Sequence, residues 1–158
     1  MNPHEASPKL DIAIGQTFEI ESGKKYKVEN IARESGNIED LFVIYTDEEN
    51  PTTYWMKKTT EITTANDFEV KTEIHEPAET EVQTGQEYQH FKTKDHYIIK
   101  CLPFDANDSS KRFVVYEGRY NSEEFGDHPV WIREYDEFAG LKTFDDGREP
   151  VKRFAFVK

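Results

Sequence analysis

The chain of 158 residues has one cysteine, two methionines, fewer basic than acidic residues and no long apolar run. Each shortage excludes something. A single thiol, Cys101, cannot form a disulfide within the chain, which fits a reducing compartment. Because Cys101 lies in the apolar run from Tyr97 to Leu102, it reads as a small buried hydrophobe and not as a nucleophile. No segment approaches the roughly 18 apolar residues of a membrane-spanning helix, and residues 1–10 lack the apolar core of a signal peptide. The expectation is a cytoplasmic protein with no membrane partner. Twenty Lys and Arg stand against 32 Asp and Glu, a net charge of −12. A field of that sign repels phosphate backbones, so direct nucleic-acid binding through a broad basic face is not expected.

Helical periodicity is also scarce; only residues 133–141 read as a turn or two of helix. What the chain does have is aromatic residues, eleven Phe, eight Tyr and two Trp. Each buries on the order of 150–250 Å², so a low aliphatic content still permits a core. Disordered acidic chains are poor in such residues.

The aromatic segments come in two rounds. Gly15-Gln16-Thr17-Phe18 returns as Gly85-Gln86-Glu87-Tyr88, and Lys25-Tyr26-Lys27-Val28 as His96-Tyr97-Ile98-Ile99. Leu41-Phe42-Val43-Ile44-Tyr45 returns as Arg112-Phe113-Val114-Val115-Tyr116, and Trp55-Met56-Lys57 as Trp131-Ile132-Arg133. An offset that drifts only from 70 to 76 residues is the pattern of tandem copies of one small domain. Alternation in these segments marks half-buried strands, and Gly, Pro, Asn and Asp clusters separate them. The expected fold is all-β, a tandem repeat of two small SH3-like antiparallel barrels. The expected organisation is an N-terminal arm over 1–11, a first and degenerate repeat over 12–74, an acidic linker over 75–83 and a second repeat over 84–158.

Catalytic and metal motifs are lacking. His4, His75, His90, His96 and His128 show no ligand spacing. There is no Gly-rich phosphate loop and no nucleophile elbow. The reading is a non-enzymatic protein without metal or cofactor.

The second repeat resembles a small bacterial family known as domain of unknown function 1653. The residues that carry the resemblance are Tyr88-Gln89-His90-Phe91-Lys92, Tyr97, Val114-Val115-Tyr116, Arg119-Tyr120, Trp131-Ile132-Arg133, Phe138 and Arg153-Phe154. Thr93 and Glu134 depart from the Gly and Pro of the family pattern, and the family's His-Ser-Glu-Thr turn is absent from Asp105 to Ser110. The resemblance implies a fold and a candidate face, and no reaction.

That face is His90, Lys92, Tyr116, Arg119, Tyr120, Trp131, Arg133 and Arg153. Strand residues two apart share a side, so Trp131 and Arg133 point the same way. Aromatic rings interleaved with Arg and His suit an anionic or planar small ligand, because Arg forks onto carboxylate or phosphate and rings stack. The reading is therefore a binding module with a face on the second repeat for a protein partner, basic or otherwise, or for an anionic small ligand. The alternative is an acidic inhibitor that occupies the basic groove of a nucleic-acid-handling protein. Its partner face would be Glu34, Glu39, Asp40, Asp47, Glu48 and Glu49.

Overall fold

The computed structural model describes residues 10–74 and 80–158. Most of the expected N-terminal arm, five residues of the expected linker, His4 and His75 lie outside them. Within the described residues the chain is all-β, 51% strand and 8% helical.

The first half contains β1 (Thr17–Glu19), β2 (Lys25–Glu34), β3 (Asn37–Asp47) and β4 (Asn50–Lys58), followed by two short 3-10 turns at Thr59–Glu61 and Ala65–Phe68. The second half contains β5 (Glu87–His90), β6 (His96–Cys101), β7 (Phe104–Asp105), β8 (Asp108–Gly118), β9 (Asn121–Ser122), β10 (Gly126–Asp127) and β11 (Val130–Glu134). Helix α1 (Tyr135–Ala139) and strands β12 (Leu141–Lys142), β13 (Val151–Lys152) and β14 (Phe154–Val157) complete it.

Pairing within the halves runs in step. Phe18 faces Tyr26 across β1–β2, and Tyr88 faces Tyr97 across β5–β6. Val28 faces Tyr45, Asn30 faces Ile44 and Arg33 faces Leu41; 71 residues later Ile99 faces Tyr116, Cys101 faces Val115 and Phe104 faces Arg112. Tyr45 faces Trp55 as Tyr116 faces Trp131. Even the opening turns agree. The Gly15 and Gly85 N–H groups donate to Val28 and Ile99 carbonyls, and both glycines hold φ near +90°, a region that disfavours any side chain.

The two halves do not form separate barrels. Ten of the fourteen strands join one sheet, in which β2, β3, β4, β7, β8 and β11 close into a six-stranded barrel, while β9 with β10 and β12 with β13 form two small ribbons. Closure uses two parallel pairings between halves, a departure from the antiparallel expectation. Trp131 and Ile132 of β11 pair with Arg33 and Glu34 of β2, while Trp55 and Met56 of β4 pair with Phe104 and Asp105 of β7.

The physical reason lies in the densest strands. Phe42-Val43-Ile44-Tyr45 and Val114-Val115-Tyr116 are apolar on both faces, so each face needs cover. Val43 and Tyr45 face a core of the first half, with Phe18, Ile20, Tyr26, Trp55 and Phe68. Val114 and Tyr116 face a core of the second, with Tyr88, Tyr97, Ile99, Trp131, Phe138 and Phe154. The opposite faces meet in a third core inside the shared barrel: Ala32, Phe42, Ile44, Met56, Cys101, Val115 and Ile132.

Bulges make this double duty possible. The register of β2 shifts between Val28 and Asn30, and that of β6 between Ile99 and Cys101. One extra residue moves the following side chains to the other face of the sheet. Val28 therefore serves its own half and Ala32 the shared barrel. The boundary of the second half also starts earlier than expected. Val82 is buried in its core, and the Tyr135 hydroxyl accepts the N–H groups of Glu81 and Val82.

Candidate functional site

A cavity of about 190 Å³ opens in the second half, lined by Ser35, His90, Thr93, Tyr97, Tyr116, Trp131, Arg133 and Phe154. Six of the eight come from strands, so the frame is stiff. Strand β5 ends on His90, β6 carries Tyr97, and β8 carries Tyr116. Trp131 and Arg133 share one side of β11, and β14 presents Phe154. Ser35 arrives from the other half, in the turn between β2 and β3.

Arg133 organises the polar wall. Its Nε–H donates to the Tyr116 hydroxyl at 2.9 Å, and one terminal nitrogen pairs with the Glu137 carboxylate one turn on. Its guanidinium lies 5.6 Å from the centre of the Phe154 ring. The side chain is only 14% exposed, so its charge is poorly hydrated. Two of its five donors are engaged in these bonds.

His90 is the second polar group. Its Nδ1 accepts the Lys92 N–H at 3.2 Å, at the head of a tight turn where Lys94 holds φ +65°. That bond assigns the ring proton to Nε2. Burial, then the charges of Arg133 and Arg153, hold His90 below the usual imidazole range. It stands edge-on to Phe154 at 5.0 Å. A neutral ring with one free N–H donor results.

The remaining wall is aromatic and locked. The Trp131 Nε1–H donates to the Tyr120 hydroxyl at 3.1 Å, and Tyr120 and Tyr97 share a hydrogen bond of 3.2 Å. Burial first, with Arg133 opposing it, raises the Tyr116 phenol above its ordinary range; burial raises Tyr97 likewise. Both remain neutral hydroxyls at any ordinary pH.

Of the eight residues expected on this face, the structure brings His90, Tyr116, Trp131 and Arg133 around one cavity. Tyr120 stands behind Trp131 as its hydrogen-bond acceptor. Lys92 and Arg119 are exposed and outside the lining. Arg153 is also outside it, and its charge acts on His90. Four lining residues were missed: Ser35, Thr93, Tyr97 and Phe154. Tyr97 and Phe154 are motif positions that the expected face does not include. Ser35 lies in Ala32-Arg33-Glu34-Ser35, where the first repeat keeps a trace of the family's His-Ser-Glu-Thr turn, but nothing in that trace ties it to the face of the second repeat.

A larger recess of about 440 Å³ sits where the halves meet and shares Ser35 and Arg133 with the smaller cavity. Glu34, Glu61, Asp105, Glu134 and Glu137 line it, so its field opposes an anion. The expected acidic face is divided. Asp40 pairs with Lys58 at 3.4 Å near one end of β3, with Glu34 and Glu39 close by in sequence. Asp47 pairs with Lys24 at 3.2 Å near the other end, beside exposed Glu48 and Glu49. Seven strand residues separate Asp40 from Asp47, roughly 23 Å.

Among the described residues no three His, Cys, Asp or Glu side chains group to hold a metal ion, and no helix is long and apolar enough to cross a membrane. Residues 86–156 match a family model described as a protein of unknown function, DUF1653. The matched span runs from β5 into β14 and contains every lining residue of the smaller cavity except Ser35. No curated protein and no solved structure matches the chain.

Proposed function

We propose, starting from the membership of residues 86–156 in the DUF1653 family, that this chain is a binding module whose second half takes a small anion with a planar or apolar body. The observation that carries this reading is the convergence of donors on an aromatic-walled cavity. The remaining N–H groups of Arg133, the Nε2–H of His90 and the Ser35 hydroxyl all belong to its lining. Arg recognises carboxylate or phosphate by paired N–H bonds, and aromatic walls hold a flat body. Drug-sized ligands occupy about 300–1,000 Å³, so about 190 Å³ suits one anionic group on a small body, or the acidic end of a larger molecule.

The second part of the proposal is that the halves are tandem copies and only one retains the site. Supporting it, six of the eight lining positions have a counterpart by register. Ile20 corresponds to His90, Tyr26 to Tyr97, Tyr45 to Tyr116, Trp55 to Trp131 and Ala106 to Ser35. Those five counterparts all belong to one buried apolar cluster. Lys57 corresponds to Arg133, but its Nζ donates to the Asp67 carbonyl at 2.6 Å. The Tyr45 hydroxyl is buried with no partner among the described residues.

Calorimetric titration with benzoate and with inorganic phosphate tests the reading. One site per chain is expected, with affinity lowered at least tenfold by His90→Phe or Arg133→Lys. Neither change empties the core, so folding is expected to persist. Unchanged binding in both variants, or no binding of either anion to the native chain, contradicts the assignment.

A further inference from the structure

We infer that the surface by which the second half holds the first is self-complementary: its fitting partner is a second copy of the same domain. This rests on the tandem-copy reading above and adds to it a partner and a geometry.

The two pairings between halves are swapped versions of each other. β11 of the second half pairs with β2 of the first through Trp131 and Arg33, and β4 of the first pairs with β7 of the second through Trp55 and Phe104. Trp55 corresponds to Trp131, and Arg33 lies 71 residues before Phe104, the register that relates β3 to β8. The neighbouring pairs, Ile132 with Glu34 and Met56 with Asp105, repeat the relation. Each half thus offers the same two strips and receives the same two strips. That reciprocity defines a two-fold interface between like subunits. Two unrelated domains packing within one chain have no physical reason to meet in this way.

The side chains are compatible with self-pairing. In the shared core Ile44 answers Val115, Met56 answers Ile132 and Phe42 is matched by half-buried Phe113, all apolar pairs of similar bulk. The differences lie along β2, with Asn30 against Cys101, buried Ala32 against buried Pro103 and Arg33 against Phe104. Phe104 already packs on the tryptophan of the opposing fourth strand, with ring centres 5.9 Å apart at Trp55. In a pair of second halves it would meet Trp131 in that same way. The cavity then changes in one place: Ala106 of the other copy replaces Ser35. The first half is therefore a resident partner that completes the anion site with a hydroxyl its counterpart lacks.

The test is a full-length chain in which residues 80–158 also stand in place of 10–74, joined through the native 75–79. The expected product is a compact monomer with one cooperative urea transition. Its two Trp131 indole N–H signals are expected to coincide in NMR spectra, because the copies become equivalent. Benzoate is expected to bind twice, each site about tenfold weaker than native for want of one hydrogen bond. An expanded chain of two independent halves, or one that fails to fold, overturns the inference. A second variant sharpens a folding failure: Phe104→Arg, Asp105→Glu and Ala106→Ser in the first copy alone, restoring the native strip. Folding of that chain only would mean that the surface demands the divergent strip, which sinks self-pairing but leaves the tandem-copy reading standing. A symmetric folded chain that binds no benzoate would count against the anion site and not against the pairing.

Discussion

Two tyrosines at matching positions experience opposite fates. The Tyr116 hydroxyl accepts the Arg133 Nε–H at 2.9 Å, whereas the Tyr45 hydroxyl is buried without a partner among the described residues. An unmet buried hydroxyl costs about 1–3 kcal/mol, and removing it returns part of that. Tyr45→Phe is therefore expected to raise unfolding free energy by about 1 kcal/mol, and Tyr116→Phe to lower it by about as much. Urea denaturation of both variants checks the opposite signs. His90 adds a pH dependence. Its folded pKa lies below 6.5, so in the folded chain it binds protons less readily than in the unfolded chain. Stability from this group is full above pH 6.5 and declines as pH falls through 6.5 toward the folded value. His90→Phe is expected to flatten that part of the curve. At this scale the sequence showed four of the eight lining residues, because a Trp-x-Arg strand and a His beside Lys are visible locally. Lys92 and Arg119 misled because motif position says nothing about which way a turn residue points. The turn that holds Ser35 is visible as a motif trace, but its link to the site is not, because it reaches the cavity from the other half.

Among the elements, the strands and most turns were legible from alternation and from Gly, Pro and Asp clusters, and the short helix from residues 133–141. The parallel pairings were not. Their sign was present in Phe42-Val43-Ile44-Tyr45, which does not alternate, yet such a run does not say what covers its second face. The bulge at Ile99–Cys101 decides where Cys101 points, and it points into the shared barrel. Burial pushes its thiol up to about 12. Thiolate is the reactive form, so native Cys101 is expected to resist thiol reagents at pH 8. Labelling should accelerate with urea in parallel with opening of the barrel. Rapid labelling of the native chain would mean that the strand turns its other face inward.

As a whole the molecule has three cores in series, and the middle one belongs to both halves. Ile132 is 1% exposed in that middle core. Truncating a buried Ile to Ala costs about 2–5 kcal/mol. Ile132→Ala is expected to destabilise both halves together, with Trp55 and Trp131 fluorescence reporting one transition. Independent halves would give two. The repeat in the sequence conveyed the two outer cores but implied separate barrels, since a repeat describes what each copy is and not how copies meet. The central claim is that one half carries a live anion cavity, and the most direct measurement is the NMR titration of His90 with and without benzoate. The account predicts an imidazole pKa below 6.5 in the free protein that rises on saturation, because a bound anion offsets the charges of Arg133 and Arg153, and affinity that strengthens as pH falls. A pKa that stays where it was under saturating benzoate would contradict it.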